Sequence, residues 1–208
     1  MLTSLLAMSG FALAGAITPG PVNVLALRHG TQAQFLPVCA YVLGASISYA
    51  VVVWVMGQGG QLLLQLPSVA TVAPWLCALY LLWLAWRVAC APVSPMPSPS
   101  DAKGAAVLTP QAAFSQGAAL QLLNPKAWLV ALSGVGMFVL PLAGRGLSVS
   151  HALAWFCTVS LLACLVGVGC WAIAGKALAR WLRTPRRQRG FNLLLAATLV
   201  ASVLGVLA

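Results

Sequence analysis

The chain is nearly without acid. Its 208 residues hold one carboxylate side chain, Asp101, against 11 Lys or Arg, and only 6% of the chain is charged. A soluble domain carries about 25% charged residues, and a chain that is 62% hydrophobic has too few polar groups to cover a water-facing exterior. That excludes an ordinary soluble domain. The same scarcity leaves no carboxylate pair or His-Glu cluster for hydrolytic chemistry, because Asp101 stands alone, so the expectation is a protein that is not an enzyme. Six cysteines (Cys39, Cys77, Cys90, Cys157, Cys164, Cys170) include no Cys-x-x-Cys, and His29 and His151 have no ligand spacing to any of them. No redox centre, metal or other cofactor is expected, and the thiols read as small apolar groups.

What is present is uncharged length. Residues 1–27, 29–86, 104–125, 127–144, 146–175 and 190–208 contain no Lys, Arg, Asp or Glu, and roughly 20 apolar residues suffice to cross a hydrocarbon core about 30 Å thick. The run 29–86 is long enough for two crossings, with Gly57-Gln58-Gly59-Gly60-Gln61 and Pro67-Ser68 as turn residues between them. The expected helices are 2–27, 35–56, 69–90, a long 111–141 interrupted at Asn124-Pro125-Lys126, 149–175, and 190 to the C-terminus. The fold class is therefore all-α: a polytopic membrane protein of six transmembrane helices.

Ala12-Leu13-Ala14 resembles a signal-peptide cleavage site, but no Lys or Arg precedes Arg28, and a signal needs a basic n-region. The first helix is expected to stay in the mature protein. Placing the loops after helices 1, 3 and 5 in the cytoplasm puts Arg28, Arg87, Lys103, Lys176, Arg180, Arg183, Arg186, Arg187 and Arg189 inside and Arg145 outside. Basic residues accumulate on the cytoplasmic side, so both termini are expected outside. The basic cluster at 176–189 sits in a short loop between apolar spans, which suits anionic lipid headgroups and gives no reason to expect nucleic acid.

Pro92, Pro95, Pro97, Pro99 and Pro110 mark residues 91–110 as an extended cytoplasmic linker. It separates a first half, 1–90, from a second, 111–208. Three spans in each half make the halves inverted with respect to each other. In helix 1 the apolar stretch ends in Thr18-Pro19-Gly20-Pro21-Val22-Asn23, and in helix 4 it ends in Asn124-Pro125-Lys126-Ala127-Trp128. Proline removes a backbone donor and clashes with the preceding turn, so both helices should break at bilayer depth. Interrupted helices at corresponding places in two inverted halves mark a transporter binding site; proline also occurs in membrane helices simply as a kink. Lys126 lies about 14 residues into its helix, and an ionisable group at that depth is a functional candidate, unless the helix starts late and brings it to the cytoplasmic surface. The candidate substrate-binding residues are Thr18, Pro19, Gly20, Pro21, Asn23, Asn124, Pro125, Lys126 and Trp128, the last either walling the cavity or facing lipid.

These motifs, with the Arg28-His29-Gly30 loop and the Pro-rich linker, resemble the LysE/RhtB family of bacterial amino-acid exporters over essentially the whole chain. The resemblance implies a six-helix inner-membrane protein that moves amino acids or related small metabolites out of the cytoplasm, with a homodimer as one assembly open to it. Many members of that family carry an acid in helix 2 or 5; here those helices offer Ser46, Ser48 and Tyr49, and Cys157, Ser160 and Cys164. Lys126 without a carboxylate partner should disfavour cationic cargo and suit a zwitterion, its carboxylate toward Lys126 and its ammonium on the carbonyls around Thr18 and Pro19. Coupling would have to use His29, His151, a shifted Lys126 or the membrane potential, with facilitated transport as the other possibility. A membrane subunit that transports nothing and acts through assembly with partners is the competing class. Trp54, Trp75, Trp83, Trp86, Trp155 and Trp181 fall near span ends, as interfacial aromatics do. Gly44 with Ser48, and Gly167, Gly169 and Gly175, read first as close helix packing.

Overall fold

The computed structural model describes residues 2–31, 35–60, 67–91, 108–143, 146–179, 181–182 and 184–207. Among these residues the protein is all helix with no strand. In chain order the helices are α1 (Leu2–Ile17), α2 (Pro21–Thr31), α3 (Phe35–Val55), α4 (Pro67–Ala89), α5 (Pro110–Leu122), α6 (Pro125–Gly134), α7 (Val149–Ala179) and α8 (Pro185–Leu207). A widened turn, Met56–Gly60, ends α3, and another, Val135–Val139, carries α6 on to Ala143. Among the described residues three helices are long and apolar enough to cross a membrane: Phe35–Gly59, Pro125–Ala143 and Val149–Ala179. The bent pair α1 and α2, taken as one span, makes four.

Both expected interruptions are present, and each separates two helices. Pro19 and Pro21 bring no N–H to the helix, and α2 leaves α1 at 66°. The second break is tighter: Asn124 takes an extended conformation and caps α6 through its side chain, with Pro125 at the first helical position, where a missing N–H costs nothing. At the end of α3 the chain turns at Gly59, whose φ of 94° is disfavoured for side-chain-bearing residues.

Several boundaries differ from the sequence reading. Arg28, His29 and Gly30 are the last turn of α2 and not a loop, and His29 is buried. Buried packing of α2 overrides the end signal that Arg28 and Gly30 suggested. Helix α8 begins at Pro185, five residues before Gly190, so Arg186, Arg187 and Arg189 lie in its first turns, with Thr184 Oγ1 accepting from the Arg187 N–H at 3.4 Å. Helix α7 continues through Lys176 to Ala179. The linker at 92–107 with Asp101 and Lys103, and also Gln61, Arg145, Arg180 and Arg183, lie outside the described residues.

The halves interlock. Helix α3 packs most extensively on α5, α2 on α7, and α4 on α8, each contact joining the chain before the linker to the chain after it. Glycines permit these crossings. A Cβ on Gly44 would overlap the Phe114 carbonyl, and one on Gly117 would overlap that of Tyr41, so α3 and α5 meet backbone to backbone from both sides. Gly30 against Ala172 and Gly175 against Leu27 do the same for α2 and α7. The packing reading of Gly44, Gly167 and Gly175 therefore holds, whereas Gly169 faces open space. Small residues at such crossings let helices gain van der Waals contact in a solvent as apolar as themselves. The core between them is filled by Tyr41, Phe156, Met8, Leu25 and Met56, all essentially inaccessible. Large apolar side chains such as Phe35, Leu129 and Ile173 point outward, the arrangement expected of a lipid-facing surface.

Candidate functional site

Breaking a helix leaves a definite debt of hydrogen bonds. Had α1 run straight on, the carbonyls of Ala16, Ile17 and Thr18 would have accepted from the N–H groups of residues 20–22. Pro21 has no N–H, and the 66° bend carries the others away. Side chains from three elements replace them. Asn23 Nδ2 donates to Ala16 O at 2.8 Å and to Thr18 O at 2.9 Å. The Trp171 indole of α7 donates to Ile17 O at 2.9 Å. Lys126 Nζ, from the other break, donates to Thr18 O at 2.7 Å.

The donors of α2 are treated differently from those of α6. At α6 the Asn124 side chain accepts from the Lys126 N–H at 3.2 Å and its carbonyl from the Ala127 N–H at 2.9 Å. At α2 the first N–H with an acceptor is that of Val24, bonded to Gly20 O at 2.9 Å. Gly20 has no side chain to cap the helix, and among the described residues the Val22 and Asn23 N–H groups have no acceptor at the positive end of the helix dipole. The Lys126 ammonium stands over this end: a Cβ on Gly20 would lie 3.9 Å from Lys126 Nζ. The ammonium and the N-terminal end of α2 thus lie together, with no acid among the described residues, an arrangement suited to a carboxylate.

A cavity of about 30 Å³ opens between the breaks. Thr18, Gly20, Asn23, Asn124 and Lys126 line it. Among the other sequence candidates, Pro19 is exposed, Pro21 is buried, and Pro125 is half-buried; none of the three is in the cavity wall, and their contribution is to shape the breaks. Trp128 does not line the cavity either. Its indole donates to Leu122 O at 2.7 Å, closing the end of α5 as Trp171 closes the end of α1.

Three polar members of the wall were not singled out as site residues from sequence: Gln121, Tyr49 and Cys164. Gln121 sits three residues before Asn124, one turn back on the same face, a spacing that could have identified it. Tyr49 and Cys164 were visible only as the uncharged residues of helices 2 and 5. Of the described cysteines only Cys164 is buried, whereas Cys90 and Cys170 are exposed. A second polar contact lies away from the cavity, where His29 Nε2 and Gln116 Oε1 are 2.9 Å apart and the imidazole packs at a tilt against Tyr41 with centroids 4.8 Å apart. It ties α2 to α5. Among the described residues no group of three His, Cys, Asp or Glu is placed to hold a metal ion.

Comparison with known proteins finds relatives along nearly the whole chain. The family model of the LysE type translocator matches residues 13–207. The chain is similar to the cysteine/O-acetylserine efflux protein of Escherichia coli (strain K12), 32% identical over 202 residues, covering 95% of this chain and 94% of the relative. It is likewise similar to the cysteine/O-acetylserine efflux protein of Salmonella typhi, 33% identical over 194 residues, covering 91% and 90%. No solved structure gives a significant match.

Proposed function

The chain belongs to the LysE-type translocators, a family of multi-pass membrane efflux proteins, and from that premise we propose that it exports small neutral amino acids by alternating access. The observation that carries this reading is the bond from Lys126 Nζ to Thr18 O, which joins the two helix breaks across 108 residues of sequence. A cargo carboxylate settles between the Lys126 ammonium and the uncapped Val22 and Asn23 N–H groups, each a favourable partner for it.

The cargo ammonium then has a defined rival. Thr18 O already accepts from Asn23 and from Lys126, so both of its lone pairs are engaged. As the carboxylate draws the Lys126 ammonium toward itself, the cargo ammonium takes its place on Thr18 O. Loading thereby exchanges an internal tie between the two breaks for a bridge through the cargo. The tie and the bridge need not hold the breaks at the same separation, and that difference is what lets cargo bias one state over another.

Six spans in two inverted three-helix halves, with both termini outside, remain the topology we infer. Part of the helix pairing supports it: exchanging α1 with α5, α2 with α6, α3 with α7 and α4 with α8 maps the α3–α7 and α4–α8 contacts onto themselves and the α3–α5 contact onto α7–α1, all extensive, whereas the extensive α2–α7 contact maps onto the much smaller α6–α3 contact. Rocking of paired halves about a central site is the movement such a repeat allows. The names of the relatives make cysteine and O-acetylserine the first cargoes to assay. Efflux from cells loaded with a panel of amino acids, measured with and without this chain, tests the reading: faster loss of short neutral amino acids is expected, and equal loss of every compound would refute export.

A further inference from the structure

Every α-amino acid carries the same ammonium and carboxylate, so the groups at the breaks cannot tell one cargo from another. Discrimination falls to the rest of the wall. There, Gly15, Ala127, Val130 and Val168 are apolar, and the polar members are Gln121, Tyr49 and Cys164. None of these carries a formal charge.

Gln121 differs from its neighbours in what its position costs. It is 6% exposed, and its side-chain amide makes no hydrogen bond with any described residue. Its amide forgoes a protein hydrogen bond in the cavity wall, where helix α5 would accept an apolar residue of similar length at no backbone cost. Cys164, also buried, offers only a weak S–H donor. Tyr49, 5% exposed, is a rigid ring that limits the length of anything lying beside it. The Gln121 amide therefore has donors and an acceptor unspent in the wall of a cavity that Tyr49 and Val130 also line.

We propose that Gln121 reads the cargo side chain, accepting from or donating to a hydroxyl, thiol or short ester group and so selecting small polar amino acids over apolar ones of the same size. This rests on the export reading given above. A pocket built around a hydrogen bond rejects an isostere that lacks it, because the pocket's own polar group is then left without a partner. For an uncharged pair the preference should be about tenfold. Serine and 2-aminobutyrate are suitable probes, alike in size and differing by a hydroxyl in place of a methyl.

The experiment is counterflow of labelled serine and labelled 2-aminobutyrate in proteoliposomes holding the full chain, as wild type, Gln121→Met and Gln121→Leu. Methionine keeps length and helix propensity, so it covers the case in which leucine fails to insert. Wild type should favour serine by about tenfold, and both variants should bring the ratio near one while still moving 2-aminobutyrate. An unchanged ratio in the variants, or loss of both fluxes in correctly inserted protein, would overturn the role given to Gln121. Wild type that moves neither amino acid would overturn the export reading itself, a result distinct from wild type that moves both without preference, which would remove only the selectivity of Gln121.

Discussion

Lys126 Nζ and Asn23 Nδ2 converge on a single oxygen, that of Thr18, at 2.7 and 2.9 Å. Asn23 belongs to the helix after the first break and Lys126 to the helix after the second. The carbonyl that Pro21 and the bend leave without a helical donor is thus held from both sides of the molecule. The partner of the Lys126 amine is a backbone oxygen that the break itself supplies.

The prolines make that oxygen available. Replacing Pro19 and Pro21 together with alanine restores two backbone donors and removes the clash that bends the chain. The double variant should insert normally and lose export of neutral amino acids by at least tenfold, read as efflux from loaded cells beside membrane abundance on a blot. Wild-type efflux would mean that the bend has no part in transport.

Asn23 closes two of the freed carbonyls. Asn23→Ala leaves Ala16 O without its donor and Thr18 O with Lys126 alone. Loss of two such bonds should destabilise the protein by about 1–3 kcal/mol, seen as a lower midpoint for thermal unfolding in detergent. Trp171→Phe removes one bond, to Ile17 O, and should cost about half as much. Equal midpoints for Asn23→Ala and wild type would show that water or lipid serves those carbonyls as well.

Glycine at the helix crossings yields a test independent of cargo. Gly44→Leu forces a side chain into the Phe114 carbonyl, and Gly117→Leu into that of Tyr41. Overpacking costs about 1–3 kcal/mol or more, and because backbone atoms cannot rotate away, both variants should fall at the upper end. Gly169→Leu meets open space and should be near neutral. If the three unfolded alike, the interlocked packing of α3 and α5 would be in error.

Charge on the cargo should matter as much as its size. A second cation near Lys126, with no carboxylate lining the cavity, is repelled and not compensated. Proteoliposomes should therefore move serine or cysteine and fail to move arginine or lysine. Efficient arginine transport without transport of neutral amino acids would contradict the assigned site.

Much of this was legible in the sequence. Charge-free runs located the helices, and two proline-bearing interruptions located the breaks, because both follow from local rules about donors, charge and length. Boundaries set by packing were not legible. Arg28 and Gly30 look like the end of a helix, yet α2 continues through them since Gly30 fits against Ala172. Likewise Trp128 suggested a cavity wall, but its indole bonds to Leu122 O, a carbonyl of its own break. Gln121, Tyr49 and Cys164 come from three helices, and their convergence depends on crossing geometry that no single stretch of sequence encodes.

The most direct test is uptake of labelled serine and cysteine into proteoliposomes by wild type and Lys126→Met, a variant of similar length without the charge. Removing a charged hydrogen-bond donor from the carboxylate should cost about 1.5–3 kcal/mol, or roughly 10- to 150-fold in flux at low substrate. Saturable uptake by wild type and its loss in the methionine variant, with both proteins inserted equally, is the expected result. Uptake by Lys126→Met at the wild-type rate would contradict a cargo site between the two breaks.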